Sequence, residues 1–556
     1  MPFEVCRRAA SARYAGHQTS AYAPTRLSWQ IGGVLVTVTN AFEPKFPAWF
    51  KFGAATAAYQ VEGGWNVSDK GESIWDHYTH SQPHRIADHS NGDVACDSYH
   101  RWKEDVQLIV DLGLDYYRFS IAWARILPTG FSNHISEDGK NYYNNLINAL
   151  LANGIEPLVT IYHWQLPQRL QNMGGWTNPL IVDWFADYAD VLYSLYGDRV
   201  KVWLTINEPV GVCDVSYSNT ILAPGLYDPE QATYICNKNV LLAHAKAWRI
   251  YDLKYKPIYG GQVSLSNHVM HFEGLTDEDH MLADFGMHYQ VGRYSHPIFS
   301  KEGGWPPIVE RAMAEKSKLQ GYSRSRLPAF TQEEKDFVRG TYDFYALNYY
   351  TSRTVRKAKH GEPLRPFLMG DLPEFNIALE ARPEWQAGRG VSWLYPLNPV
   401  GLRHSIQWLK KNYGDLNFMI MENGYSNANH QLDDTERIMF MRRHLEQVLL
   451  AIHEDHLNIT RYTYWSLMDN FEWMDGYNTK FGLYEVDFTD PERRRTPRKS
   501  AYYYRSITES RTLDVPLQPQ GWEISRYVLS TMPNSGHGRL LGSWYIYLSL
   551  IFLLIK

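Results

Sequence analysis

The sequence predicts an α/β protein, a (β/α)8 TIM barrel, and two observations carry that reading. From about residue 46 to 507, short β-rich apolar runs alternate with longer stretches of helical periodicity. Such alternation is the mark of parallel strands joined by crossover helices. Eight runs can be placed, enough to close a barrel, and seven are followed by polar, chemically useful residues. Barrels of this kind gather their sites at the carboxyl ends of the strands.

The expected strands are 50–57, 116–120, 157–162, 202–206, 262–266, 344–347, 418–421 and 462–465. Between them run apolar helical stripes such as Trp102, Val106, Ile109, Leu112 and Leu180, Trp184, Tyr188, Leu192, which read as core contacts. Segments near 303–307 and 362–373 are rich in Pro and Gly and are expected as surface loops. The polar strand ends are Gln60, Arg118, His163, Asn207 with Glu208, Asn348 with Tyr350, Glu422, and Trp465. One polar residue after a strand is usually turn chemistry; seven in register point to a site.

Composition narrows the class. A net charge of −5 with interspersed signs and no basic run argues against a nucleic-acid partner. Aromatics make up 14% of the chain, with 19 Trp and 39 Tyr, rings that serve cores and sugar faces alike. Four cysteines give neither a disulfide scaffold nor a CxxC metal motif. Cys213 and Cys236 flank one segment and are either a loop disulfide or two buried thiols. No metal or organic cofactor is expected.

The ends suggest three regions: a leader over 1–45, the barrel over 46–507, and a tail over 508–556. The apolar run 31–38, followed by Thr39-Asn40-Ala41, reads as an inwardly displaced secretory segment or a short strand. The apolar stretch 540–555 suits a tail anchor or a removed lipid-anchor signal, hence a membrane association. Asn66 and Asn458 stand in glycosylation sequons. Together these predict a secreted or lumenal protein.

Two glutamates dominate the predicted mouth. The fourth strand runs into Thr205-Ile206-Asn207-Glu208-Pro209 and the seventh into Ile420-Met421-Glu422-Asn423-Gly424. A carboxylate pair about 5–5.5 Å apart is what glycosidic hydrolysis with retention requires: one attacks the anomeric carbon, the other serves as acid and then base.

These segments resemble the two catalytic signatures of glycoside hydrolase family 1. The likeness continues through Phe52-Gly-Ala-Ala-Thr-Ala-Ala-Tyr-Gln-Val-Glu-Gly, Tyr117-Arg-Phe-Ser, His163-Trp-Gln-Leu-Pro and Trp465-Ser-Leu-Met-Asp-Asn-Phe-Glu-Trp, and the wording is similar to animal members, insect ones among them. The resemblance implies Glu208 as acid/base and Glu422 as nucleophile, with Arg118 and Tyr350 lowering the nucleophile's pKa. It also implies Gln60, His163, Asn207, Asn348, Glu472 and Trp473 as sugar ligands, Trp465 as a platform under the ring, and Trp393 at the aglycone. Gln165, Arg461 and Tyr464 depart from the family pattern, which bears on substrate preference.

The expected activity is therefore hydrolysis of terminal β-D-glucosyl, and also galactosyl or fucosyl, residues of small β-glycosides or oligosaccharides. A thioglucosidase and an inactive Klotho-like receptor are the alternatives. Retention of both Glu208 and Glu422 speaks against a dead receptor, and Glu472-Trp473 against a phospho-β-glycosidase.

Overall fold

The computed structural model describes residues 26–31, 34–39, 45–364, 372–385, 397–427 and 431–519. The barrel strands are β1 (Lys51–Ala55), β2 (Tyr116–Ser120), β3 (Glu156–Tyr162), β4 (Val202–Asn207), β5 (Gln262–His268), β6 (Tyr345–Asn348), β7 (Phe418–Asn423) and β8 (Ile459–Trp465). All pair in parallel and in chain order, and β8 closes on β1 with Arg461 opposite Lys51 and Trp465 opposite Ala55. The strands are almost entirely buried because helices cover the outside and side chains fill the inside. Tyr116, Leu158, Val202, Leu204, Ala346, Met419 and Met421 form one cluster that plugs the barrel beneath its mouth.

The helices include α1 (Ser98–Asp111), α2 (Glu137–Ala152), α3 (Ile181–Tyr196), α4 (Ala232–Ile250), α5 (Pro307–Leu319), α6 (Pro399–Tyr413), α7 (Thr435–His453) and α8 (Lys499–Ser510). Their predicted stripes pack inward, with one exception. Leu180 is 52% exposed because it precedes the first turn of α3, where the face that buries Tyr188 and Leu192 has not yet begun. The segment 303–307 is not a surface loop: Gly303, Gly304, Trp305 and Pro306 are buried. Trp305 donates to the Pro328 carbonyl and packs against Phe330, which draws the turn inside before α5 starts.

Two register shifts matter for the site. In β4, Leu204 pairs with Ser264 but Asn207 with Ser266; in β7, Ile420 pairs with Leu347 but Glu422 with Asn348. Each strand thus carries one residue more than its neighbour just before its glutamate. Such a bulge breaks the in–out alternation and re-aims the next side chain. Glu208 continues the distortion, with φ +44, a region that costs a non-glycine residue about 1–3 kcal/mol. Hydrogen bonds from its amide to Ser266 O (2.8 Å) and from Gly211 N to its carbonyl (2.9 Å) hold it there.

Beyond the barrel, strands Ser352–Lys357, Ile377–Glu380 and His271–Gly274 form a three-stranded sheet. Cys213 and Cys236 are disulfide-bonded, tying the segment after β4 to α4. Asn66 and Asn458 are exposed. Arg26–Ile31 and Val34–Thr39 pair as antiparallel strands, so the described residues of the run read as a secretory segment have extended backbone. Among the described residues no helix is long and apolar enough to cross a membrane; the stretch 540–555 lies outside them.

Candidate active site

Arg118 organises the mouth. It follows Tyr116 on the same inward face of β2 and is 1% exposed, so its guanidinium is held by protein groups alone. It donates to Glu422 Oε1 (2.7 Å), to the Met421 carbonyl (2.8 Å), to Asn207 Oδ1 (2.7 Å) and to Thr160 Oγ1 (3.1 Å). One cation therefore joins the ends of β4 and β7. Tyr350 donates to Glu422 Oε2 (2.7 Å), so each oxygen of that carboxylate has a donor. Burial pushes the Tyr350 phenol well up, with Glu422 next in effect, so it stays a neutral donor.

Glu208 is held differently. Asn348 donates from Nδ2 to Glu208 Oε1 (2.9 Å) and to Asn207 Oδ1 (3.0 Å), and its own Oδ1 accepts from Ser266 (2.9 Å). His268 Nδ1 lies 3.2 Å from the same Glu208 Oε1. Asn207 Nδ2 meets His163 Nε2 at 3.0 Å, and burial, then Arg118, holds His163 well below the usual histidine pKa. His163 is thus a neutral ring with its remaining nitrogen, Nδ1, buried and unpartnered among the described residues.

One cleft is lined by His163, Trp164, Asn207, Glu208, Tyr350, Glu422, Trp465, Glu472, Trp473 and Phe481. Arg118 and Asn348 stand behind that lining. So does Gln60, whose amide donates to the Phe471 carbonyl (2.8 Å) and Asn470 Oδ1 (2.9 Å) while its Oε1 has no partner among the described residues. Trp465 and Trp473 lie beside His163 at ring distances of 5.8 and 6.1 Å, both near-parallel to it. The loop carrying Glu472 is anchored by Asp469, whose carboxylate receives two bonds from Arg498 at 2.8 and 2.7 Å.

Two sequence expectations need correction. Arg118 and Tyr350 do lower the Glu422 pKa, but burial outweighs them and, with Glu208 adding, lifts it to about 7. Sequence displays the partners of a carboxylate and not how dry its setting is. Glu472 is also raised well above the ordinary carboxylate range, by burial first and then by Asp475 and Glu422. Second, Arg461 has no place near the mouth: it sits at the amino end of β8, paired with Glu156 at 2.9 and 3.0 Å. Tyr464 is fully buried against Tyr504, and the Gln165 side chain is buried too. Trp393 lies outside the described residues. Three neighbours went unread: Trp164 and Phe481 in the lining, and His268. Extending β5 by two residues beyond Ser266 would have put His268 at the mouth.

Next to the cleft, sharing the His268 side of Glu208, opens a larger cavity. Its wall carries Val210, Val215, Met270, Leu372 and Phe375, and three carboxylates, Asp214, Glu230 and Glu374. Asp214 is held by Arg293 and Tyr294, Glu230 by Tyr322, and Glu374 by Arg326 and Tyr234. Arg326 is the one cation among the described lining residues, and Glu374 already neutralises it.

A (β/α)8 barrel with two buried glutamates at the strand ends, one of them paired with an arginine, beside a cleft of aromatic and amide groups, defines a glycosidase barrel. The model of glycosyl hydrolase family 1 matches residues 42–513, and the chain belongs to that family. It is 44% identical to Myrosinase 1 of Brevicoryne brassicae over 84% of this chain and 99% of that protein. It is 40% identical to the cytosolic beta-glucosidase of Homo sapiens, over 85% of this chain and 100% of the other. The solved aphid myrosinase superposes with a TM-score of 0.79 at 44% identity, covering 84% of this chain and 99% of that one.

Proposed function

We propose that this glycosidase is a retaining O-β-glucosidase, with Glu422 as nucleophile and Glu208 as acid/base. The observation that carries the roles is the asymmetry of their contacts. Both oxygens of Glu422 receive donors, one from a guanidinium, which stabilises a carboxylate that must attack as an anion. Glu208 has both of its polar contacts, from the Asn348 amide and from His268 Nδ1, on Oε1 alone, which leaves Oε2 to carry and return a proton.

In the first step Glu422 bonds to the anomeric carbon as Glu208 protonates the departing oxygen. In the second, Glu208 takes a proton from water, which displaces Glu422 and restores the free acid. The unpartnered Gln60 Oε1 and His163 Nδ1, with Asn207 and Glu472, would meet the sugar hydroxyls, because buried polar atoms are normally satisfied. Trp465 would lie under the ring and Trp473 beside it.

The larger cavity is the natural seat of the leaving group, since it adjoins the acid rather than the nucleophile. Its apolar wall and surplus of carboxylates suit a neutral aglycone. A glucosinolate bears a sulfate, and no uncommitted cation faces it among the described lining residues. The second reading, a thioglucosidase, rests on the likeness to the aphid myrosinase. Kinetics on nitrophenyl β-glucoside, β-galactoside, β-fucoside and a glucosinolate separate the two. Preference for the neutral glucoside supports the first reading, and higher kcat/KM on the glucosinolate overturns it.

We further propose that the protein is exported, on the strength of the Cys213–Cys236 disulfide and the exposed sequons at Asn66 and Asn458. Intact mass of protein from the culture medium tests this: glycans and no free thiol at Cys213 are expected, and an unmodified chain retained in cells contradicts it.

A further inference from the structure

His268 is not one of the carboxylates, yet it lines the larger cavity and contacts Glu208 of the sugar cleft. It closes β5, pairs in register with Asn348 at the end of β6, and is 7% exposed. Its ring lies nearly parallel to that of Tyr350, at 9° and 6.4 Å between centroids. Its Nδ1 is 3.2 Å from Glu208 Oε1, while its Nε2 is buried with no partner among the described residues.

These contacts fix where the histidine proton resides. Oε1 already accepts from Asn348, so the tautomer with its hydrogen on Nδ1 makes the contact a second donor to that oxygen, and no partner of Nε2 among the described residues calls for the other tautomer. Nδ1–H therefore donates to Glu208 Oε1, the oxygen that also accepts from Asn348 Nδ2 at 2.9 Å. With both lone pairs of Oε1 engaged, the acid proton is confined to Oε2. A carboxylic acid with free choice would distribute its proton over two oxygens and rotate about its terminal bond. Two donors converging on one oxygen from β5 and β6 remove that freedom.

We infer that His268 is a positioning residue for acid catalysis: it orients Glu208 so that Oε2 alone presents the proton to the leaving oxygen. His268 itself gains and loses nothing in either step. As the glycosidic C–O bond breaks, the proton passes from Oε2 to the leaving oxygen and the anomeric carbon becomes bonded to Glu422. The Oε1 bonds then stabilise the resulting Glu208 anion until it takes a proton from water. This inference rests on Glu208 being the acid, and it adds a dependence on leaving group that a merely structural histidine would not have.

The test compares two variants across a series of alkyl and aryl β-glucosides. His268→Phe keeps a ring over Tyr350 and deletes the donor. His268→Asn gives up the ring and supplies an amide N–H near the place of Nδ1–H. In His268→Phe, kcat/KM should fall about tenfold for alkyl glucosides, which need protonation, and less than about twofold for dinitrophenyl glucoside, which does not. His268→Asn should recover most of the alkyl activity. Turnover of the dinitrophenyl substrate shows in the same samples that the protein is folded.

An equal loss on every substrate, no loss at all, or an Asn variant no better than Phe would overturn the inference. Glu208→Gln run beside them keeps the two ideas apart. If Glu208→Gln is selective for poor leaving groups and His268→Phe is not, the positioning role fails while the acid assignment stands. If neither is selective, the acid assignment itself fails.

Discussion

Replacing Tyr350 by Phe deletes one oxygen atom from the site and leaves the ring in place. That oxygen donates to Glu422 Oε2 at 2.7 Å inside a buried pocket, and its bond favours the ionised carboxylate. Burial sets Glu422 at about 7, with Arg118 and this hydrogen bond pulling the other way. A hydrogen bond to a charged group contributes about 1.5–3 kcal/mol, and one pKa unit corresponds to about 1.4 kcal/mol. Removal of a bond that prefers the anion raises the pKa, here by about one to two units. The nucleophile works only when ionised, so the acidic limb of the kcat/KM profile should move to higher pH by that amount. At pH 7 the variant should lose about five- to fiftyfold, with part of the loss recovered toward pH 9. The assay is the pH profile of nitrophenyl β-glucoside hydrolysis by both proteins. A limb that stays put or moves to lower pH would show that Tyr350 does not stabilise the Glu422 anion.

Two further changes probe the acid and the frame. Glu208→Gln should reduce kcat/KM on alkyl glucosides by about 10²–10⁴-fold while sparing the first step on dinitrophenyl glucoside, which should then give a burst in stopped-flow because water activation is also lost. Asp469→Ala strips the partner from fully buried Arg498 and should destabilise the fold by about 3–5 kcal/mol in denaturant titration, with a higher KM as the Glu472 loop loosens.

Much of the architecture was legible because a barrel repeats one rule eight times. The run at 116–120 coincides with β2, and the others differ from the observed strands only by a few terminal residues. Glu208 and Glu422 were legible as well, since each follows an apolar strand by sequence position alone. The bulges in β4 and β7 were not, because a register shift belongs to a pair of strands and neither sequence marks it. His268 was lost to an error of two residues at the end of β5. The direction of the Glu422 shift was misread because Arg118 is visible in a motif, whereas desolvation is a property of everything packed around it. Arg461 shows the reverse case: a departure from the family pattern that seemed to touch specificity is an ion pair with Glu156 at the far end of the barrel.

Retention through Glu422 requires a covalent bond between that residue and the sugar. Incubation with 2,4-dinitrophenyl 2-deoxy-2-fluoro-β-glucoside slows breakdown of the glycosyl-enzyme more than its formation, so the adduct accumulates and can be located by peptide mass spectrometry. A single fluoroglucosyl group on the peptide containing Met421-Glu422-Asn423, fragmenting at Glu422, is the expected result. Label on Glu208 or another carboxylate, or steady turnover of the glucoside with no adduct, would contradict it.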